Sequence, residues 1–244
     1  MKKYKLTDET KQLWDITLYR IEALRDFGNA KAGDKGGWIE KESNLSHEDN
    51  CWVGDHAKVY LDARVYGNAQ VYDSAQVYGS AHVFDTARVF DTARVYGTAR
   101  VYENTAVHEG AQVYERAQIG GNVRVYGRAQ LCGDAQVFDT AQVYGDARVY
   151  GSAQLCRNAR VRGITEVCGD AIVGSDEDYI VFKNWWSSGR YFTWTRSNNL
   201  WAVGCFYGTG EELIRKAYED SELSGREYER IVRYVEEILK ADGK

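Results

Sequence analysis

An aliphatic residue recurs at every sixth position from Val53 to Val173, and this period constrains the fold more than any other feature of the chain. All 21 positions of the series carry Val, Ile or Leu. The position two residues before each of them, from Ala57 onward, carries Ala in 17 of 20 cases. The three exceptions are Thr105, Val123 and Thr165. Self-similarity at a short fixed period is typical of a solenoid, in which each repeat covers its neighbour.

Each repeat has the pattern of a short strand followed by a corner. In an extended chain, residues two apart point to the same side, so Ala57 and Val59 face one way and the residue after each of them faces the other. The first residue of most corners is Gly or Asp, types that tolerate a positive φ. A helix is excluded because the period is six and β-branched residues dominate the key positions.

The composition agrees with stacked strands and argues against one class of partner. The chain contains no proline, although average usage of ~5% would give about twelve. Proline lacks the N–H group that each strand of a stacked solenoid donates to the next coil. With 31 basic and 36 acidic residues the net charge is −5, whereas a duplex-DNA binder normally carries a basic excess.

The cysteines and the apolar runs predict a compartment. No stretch approaches about eighteen consecutive apolar residues, and the basic start of the chain lacks the apolar segment of a signal peptide. The five cysteines form no Cys-x-x-Cys pair. We therefore expect free thiols in a reducing cytoplasm, with no metal site and no membrane partner.

The repeat Val65-Tyr-Gly-Asn-Ala69-Gln resembles the hexapeptide repeat of left-handed parallel β-helices. This resemblance implies that three hexads close one triangular coil, so that 21 hexads form about seven coils. At a strand spacing of ~4.8 Å the solenoid is expected to be roughly 30–35 Å long. Members of this family commonly assemble as trimers packed side by side, and a homotrimer is therefore the expected state.

Aromatic residues follow the aliphatic position in 13 of the 21 repeats, and ten of the 18 tyrosines lie there. Stacking by three hexads predicts one ladder on each face. The first ladder contains Tyr60, Tyr78, Tyr96 and Tyr114, with Tyr150 after an interruption at Cys132. The second contains Tyr72, Phe90, His108, Tyr126 and Tyr144, and the third contains Tyr66, Phe84, Tyr102, Gly120 and Phe138. We expect the rings to stack and to shield the sheets, while the first ladder is also a candidate subunit interface and exposed rings are candidate ligand platforms.

The departures from the period divide the chain into three parts. Residues 1–52 are expected to form an N-terminal β cap, residues 53–174 the solenoid, and residues 175–244 a small α+β domain. The cap begins with two alternating runs that predict a hairpin, Tyr4–Leu6 and Ile16–Ile21. The last part contains three predicted strands, Tyr179–Phe182, Tyr191–Thr195 and Leu200–Gly204, and two helices opened by capping boxes at Thr209–Glu212 and Ser224–Glu227.

Both ends of the chain are also similar to segments of hexapeptide-repeat proteins carried by phages and prophages. The segments that carry this likeness are Tyr19–Gly28, Gly36–Glu40, Asn44–Ser46 and Val203–Ile214. The resemblance implies a viral or mobile-element origin, and it implies no particular reaction.

The positions of the histidines bear on whether the protein is an enzyme. Within the β-helix family many members are acyl-CoA-dependent acyltransferases and others are zinc carbonic anhydrases, and both activities need histidine. The four histidines are His47, His56, His82 and His108. The register predicts that all four point away from the core and that no three converge within one chain. The unbroken repeat also leaves no loop to cover a substrate, so we expect no catalytic residue and no cofactor.

A tryptophan-rich window near the C-terminus is the candidate binding cluster. Four of the seven Trp residues lie within 17 positions. The candidate residues are Trp185, Trp186, Arg190, Tyr191, Trp194, Arg196 and Trp201. Trp185 and Trp186 are expected to be adjacent on a strand and so to face opposite sides, which leaves one ring free to contact the solenoid, another subunit or a ligand. Core packing of the small sheet is the competing interpretation.

These observations favour a non-enzymatic binding protein that displays its C-terminal domain on a rigid, trimeric solenoid. The phage-like ends suggest a counter-defence role in the host cytoplasm, by trapping a signalling nucleotide or a defence protein. The alternatives are an acyl-CoA-dependent acyltransferase-like enzyme and a structural component of a phage particle.

Overall fold

The computed structural model describes residues 2–241 and contains a β-solenoid between two different ends. The head contains β1 (Tyr4–Leu13), β2 (Ile16–Ala23), β3 (Lys35–Ile39) and a 3₁₀ helix (Glu42–Asn44). The solenoid contains β4–β24, strands of two residues that recur every six positions from Trp52–Val53 to Ile172–Val173. The tail contains a 3₁₀ helix (Asp176–Asp178), β25 (Tyr179–Lys183), β26 (Tyr191–Thr195), β27 (Leu200–Val203), β28 (Phe206–Gly208), α1 (Gly210–Asp220) and α2 (Glu222–Ala241). The predicted fold class is confirmed.

Each short strand pairs in parallel with the third strand after it in the chain, and this pairing builds three sheets. Val59 lies beside Val77, and Val77 lies beside Val95. Main-chain N–H groups donate to the following coil, as from Tyr60 to the carbonyl oxygen of Val77 at 3.1 Å. The Ala and aliphatic side chains of the repeat fill the interior and are almost all fully buried. Each face receives seven of these short strands, which gives the seven coils that the period predicts.

The corners adopt the left-handed conformation that their residue types predict. The first corner residue has a positive φ at all 20 corners between Val53 and Val173, and it is Gly at ten of them. Eight of the other ten are Asp or Glu, the exceptions being Leu61 and Arg157. A positive φ is unfavourable for residues with a Cβ atom, so the acidic residues need a compensating interaction.

Hydrogen bonds between coils supply that compensation. The carboxylate of Asp73 accepts the main-chain N–H of Asp91 at 3.2 Å, and that of Glu109 accepts the N–H of Gly127 at 2.8 Å. Seven of the eight acidic corner residues make the same contact with the following coil. Charge-assisted hydrogen bonds of this kind stabilise the stack where the main chain alone leaves an N–H group unpaired.

The head does more than cover the first coil. The predicted hairpin is confirmed by the antiparallel pairing of β1 with β2. β3 then pairs in parallel with Lys58–Val59, and Leu45 forms a single parallel bridge with Val65. Ile39 and Leu45 are buried like the aliphatic residues of the repeat. The head therefore adds an incomplete eighth coil to the stack.

The tail packs two helices against a four-stranded antiparallel sheet. The capping box at Thr209–Glu212 is confirmed, but the one predicted at Ser224–Glu227 is wrong. The hydroxyl oxygen of Ser221 accepts the N–H of Ser224, and α2 has already begun at Glu222. One residue separates the two helices, so Ser221 ends α1 and also caps α2. Neither described helix has the length and apolar content of a membrane span.

Polar side chains of the tail cover the last coil by pairing with main-chain groups that have no further coil to bind. The hydroxyl of Thr193 accepts the N–H of Glu166 at 3.1 Å, and that of Ser197 accepts the N–H of Ile172 at 2.7 Å. The phenol of Tyr207 donates to the carbonyl oxygen of Cys168 at 3.3 Å. These bonds replace the partners that a further coil would provide.

Two corner glycines test how tightly the coils stack. A Cβ on Gly97 would lie 2.7 Å from the main-chain nitrogen of Glu115, whereas a Cβ on Gly163 would meet nothing within 4 Å. Both residues have a positive φ. We expect Gly163→Ala to lower the free energy of unfolding by about 1 kcal/mol from the backbone alone. We expect Gly97→Ala to lower it by about 2–4 kcal/mol because overpacking adds to the backbone cost. Urea titration measures both variants, and equal losses would show that coil-to-coil contact at Gly97 is unimportant.

Candidate functional site

A pocket of about 410 Å³ lies at the N-terminal end of the face that carries the third aromatic ladder. It is lined by Glu42, Ser43, Leu45, Ser46, His47, Arg64, Val65, Tyr66 and His82. The head supplies the first five of these residues. The other four belong to β6, to the residue that follows β6, and to β9. The pocket exists because the incomplete eighth coil lies beside the first complete one.

Tyr66 is the last ring of its ladder at this end. Its ring stacks on Phe84 with centroids 4.9 Å apart and planes inclined by 3°. On the other side Leu45 pairs with Val65, and the N–H of Ser46 donates to the carbonyl oxygen of Val65 at 2.9 Å. Ser46 therefore occupies the position beside Tyr66 where a ring would continue the ladder.

His47 lines the pocket beside Glu42. Its Nδ1 accepts the main-chain N–H of Lys3 at 3.4 Å, and its ring stacks on Tyr4 with centroids 4.3 Å apart. Burial lowers the pKa of His47, so the imidazole is neutral near pH 7. Because Nδ1 accepts, the neutral ring carries its hydrogen on Nε2. That Nε2 is buried, has no hydrogen-bond partner among the described residues and lies 3.9 Å from a carboxylate oxygen of Glu42.

His82 stands between two arginines on the same face. Arg64, His82 and Arg100 pair rung by rung in successive coils. The pKa of His82 is lowered, first by burial and then by the positive charges of Arg64 and Arg100. Its ring contacts the Tyr66 ring edge-on, with centroids 5.9 Å apart. Within residues 2–241 neither arginine forms an ion pair, and Arg100 lies over the ring of Phe84, 5.5 Å from its centroid.

Glu42 is the only acidic residue among those that line the pocket. It forms an ion pair with Lys2, and this contact lowers the pKa of Glu42. The carboxylate is therefore charged at neutral pH, but its charge is balanced by the lysine.

His47 of the predicted cap and His82 of an outward face line one pocket, a contact that the hexad pattern does not predict. A signal for the contact was present. Ile39 and Leu45 are six residues apart, as in the repeat, and Leu45 is followed by Val53 after eight residues instead of a multiple of six. This two-residue offset interrupts the period and hides the additional coil from a search for unbroken hexads.

The candidate interface ladder is a continuous stack from Tyr60 to Tyr114. Its rings are 4.9–5.1 Å apart and nearly parallel. This confirms that the rings stack between coils. Tyr60 is only 2% exposed, and burial raises its pKa to about 12. Tyr150 lies two coils beyond Tyr114, after Cys132, and is half-buried. A role for the ladder as an interface stays a prediction.

The structure divides the tryptophan-rich cluster into core and surface residues. Trp194 and Trp201 are 1% and 2% exposed and belong to the core between the sheet and the helices. Trp186 packs edge-on against Tyr228, with ring centroids 5.0 Å apart, while Trp185 is 72% exposed. The expectation that Trp185 and Trp186 lie on a strand is wrong, because both lie in the turn after β25.

The polar members of that cluster lie at the junction with the solenoid or beside the core. Arg190 and Tyr191 line a cavity of about 250 Å³ together with Arg148 and Glu166 of the last coils. Arg196 lies over the ring of Trp194, 5.9 Å from its centroid, and its Nε donates to the carbonyl oxygen of Glu177. The seven residues therefore do not form one shared surface.

Comparison with known proteins supports a β-solenoid repeat. Residues 63–79, 117–133 and 141–157 match the model of the YdcK β-solenoid repeat family. The chain is also 34% identical over 67 residues to the uncharacterized acetyltransferase YdcK of Escherichia coli strain K12, a match that covers 24% of this chain and 21% of that protein. The chain thus spans about a fifth of the length of the curated relative that it matches.

The arginines on either side of His82 lead to a prediction about its pKa. We expect Arg64→Gln to raise the pKa of His82, because it removes one of the positive charges that lower it. The pKa should still lie below the ordinary value of ~6.5, because burial remains. Arg124→Gln, an equally exposed position on another face, is the matched control. NMR titration of the imidazole measures the change, and an unchanged pKa in the Arg64 variant would contradict the assignment.

The division of the tryptophans makes a prediction about stability. We expect Trp201→Ala to lower the free energy of unfolding by about 3–5 kcal/mol, because it empties a buried site. Trp185→Ala should change it by less than about 0.5 kcal/mol, because its ring is exposed. Denaturant unfolding followed by circular dichroism measures both. A similar loss in the two variants would show that Trp185 is packed against another part of the protein.

Proposed function

We propose that this β-solenoid is a non-enzymatic binding protein that holds a small ligand in the N-terminal pocket. The observation that carries the proposal is the pocket itself, in which Arg64 and His82 lie beside the last ring of an aromatic ladder. Pockets of this volume with a few converging polar groups are typical ligand sites.

The same chemistry disfavours His47 as a general base. A general base must accept a proton, and Nδ1 of His47 already accepts the N–H of Lys3. The hydroxyl oxygen of Ser46 is likewise engaged, since it accepts the N–H of Glu48 at 3.0 Å. The hexads run without an insertion that could close over a substrate. Reversible binding needs none of these features.

Sequestration is the form of binding that the ends of the chain suggest. In this proposal the protein comes from a phage or a prophage, acts in the host cytoplasm and traps a signalling nucleotide or a defence protein. A homotrimer packed along the solenoid faces would present three copies of the pocket and of the C-terminal domain. The exposed Trp185 and Tyr191 are then the candidates for contact with a protein partner.

Acetyl transfer is the second candidate, and two observations favour it. One is the similarity of part of the chain to a protein named as an acetyltransferase. The other is His82, a largely neutral imidazole in the same pocket, with no side-chain hydrogen bond among the described residues. This alternative predicts that the unaltered protein turns over acetyl-CoA and that His82→Ala abolishes the turnover. The binding proposal predicts no turnover by the unaltered protein or by the variant.

Native mass spectrometry of the protein purified from cells tests the binding proposal. We expect a retained small molecule that is recovered chemically unchanged after denaturation, and the same spectrum reports the number of subunits. Ser43→Trp should abolish retention, because Ser43 is an exposed lining residue and the larger side chain fills the pocket. Ser74→Trp, at an exposed corner outside the pocket, should retain the molecule. Retention by the Ser43 variant, or recovery of a chemically altered molecule, would refute the proposal.

A further inference from the structure

The aromatic ladder beside the pocket ends differently at its two ends. Tyr66, Phe84 and Tyr102 stack with centroids 4.9 and 5.2 Å apart. Beyond Tyr102, a Cβ on Gly120 would lie 2.4 Å from a ring carbon, so the Tyr102 ring already covers that position. Beyond Tyr66 stands Ser46, and a pocket of about 410 Å³ remains. Space for one more ring therefore exists at the Tyr66 end.

Positive charge is concentrated at the same end of this face. The outward positions of its strands carry Arg64, His82 and Arg100 near the pocket. The following three positions of the same column are Gln118, Gln136 and Gln154. The solenoid thus accepts an uncharged amide at this position, and the cationic residues are limited to the coils next to the pocket.

We propose that the pocket binds a nucleoside phosphate, with the base stacked on Tyr66 as the next ring of the ladder and the phosphate bound by Arg64 and His82. This inference rests on the proposed function and narrows its ligand to one chemical class. A flat ring beside Tyr66 continues a stack whose spacing the solenoid already fixes. Arg64 offers an anion charge-assisted hydrogen bonds, and the imidazole of His82 offers a further donor beside it.

The remaining polar groups of the pocket agree with such a ligand. The carboxylate of Glu42 is paired with Lys2, which limits its repulsion of a phosphate. Protonation of His82 would strengthen the contact with the anion.

Isothermal titration calorimetry of the full chain with three probes tests the assignment. The probes are adenosine monophosphate, adenosine and ribose 5-phosphate. We expect adenosine monophosphate to bind at least about tenfold more tightly than either fragment, because it alone combines the ring with the anion. Tyr66→Leu should weaken binding of adenosine monophosphate about tenfold and leave ribose 5-phosphate unchanged. Arg64→Gln should weaken both phosphate-bearing probes and leave adenosine unchanged.

Matched variants separate these effects from general changes in the fold. Tyr102→Leu removes the ring at the other end of the same ladder, and Arg124→Gln removes an exposed arginine from another face. Both should bind all three probes as the unaltered protein does. Equal weakening by Tyr66→Leu and Tyr102→Leu, or no preference for adenosine monophosphate over ribose 5-phosphate, would overturn the assignment.

The failure of this inference is distinguishable from the failure of the proposed function. If Ser43→Trp removes the molecule retained from cells but adenosine monophosphate does not bind, the binding function stands and the ligand class is wrong. If acetyl-CoA binds and adenosine monophosphate does not, the class is overturned in favour of the acetyl-transfer alternative. If Ser43→Trp leaves the retained molecule in place, the pocket itself is not the site.

Discussion

The register of eighteen residues between hydrogen-bonded coils governs the rest of this structure. The N–H groups on either side of an inward aliphatic residue find their acceptors one coil further on, as that of Tyr60 does with Val77. This register places like residues above one another, so that Val packs on Val inside and ring packs on ring outside. It also places a carboxylate beneath an N–H group at the corners, which allows acidic residues to adopt a positive φ. A solenoid with this register therefore specifies its core, its corners and its outer faces together.

The register changes once, and the pocket lies at that change. β3 and Leu45 pair with strand residues twenty positions later, as Leu45 does with Val65. The two additional residues let the head join the stack without reproducing the outer pattern of the hexads. Ser46 accordingly faces Tyr66 where the repeat would supply a bulkier residue. The vacancy beside Tyr66 is thus a consequence of where the head joins the solenoid and not of a loop that can move.

The solenoid could be predicted from the sequence because each of its rules is local and repeated. An inward Val, an Ala two residues before it and a Gly or Asp corner recur often enough to define the coil without knowledge of distant contacts. The pocket could not be predicted, because it depends on a pairing between Leu45 and Val65 that the two-residue offset obscures. The start of α2 at Glu222 could not be predicted either, because Ser221 and Ser224 are both good capping residues. Only the packing of α1 against α2 decides between them. The exposure of Trp185 likewise could not be predicted. It depends on a turn that the residue pattern after β25 does not reveal.

The residues at the pocket end of the third ladder differ from what the solenoid itself requires. Gln118, Gln136 and Gln154 show that an uncharged side chain suffices beside the third ladder. At the pocket end the same position carries Arg64, His82 and Arg100, and burial together with the two arginines lowers the pKa of His82. Arg64 and His82 also line the pocket at the last ring of the ladder. Positive charge, a perturbed imidazole and an aromatic ring at one pocket are the expected signature of a site shaped for a ligand.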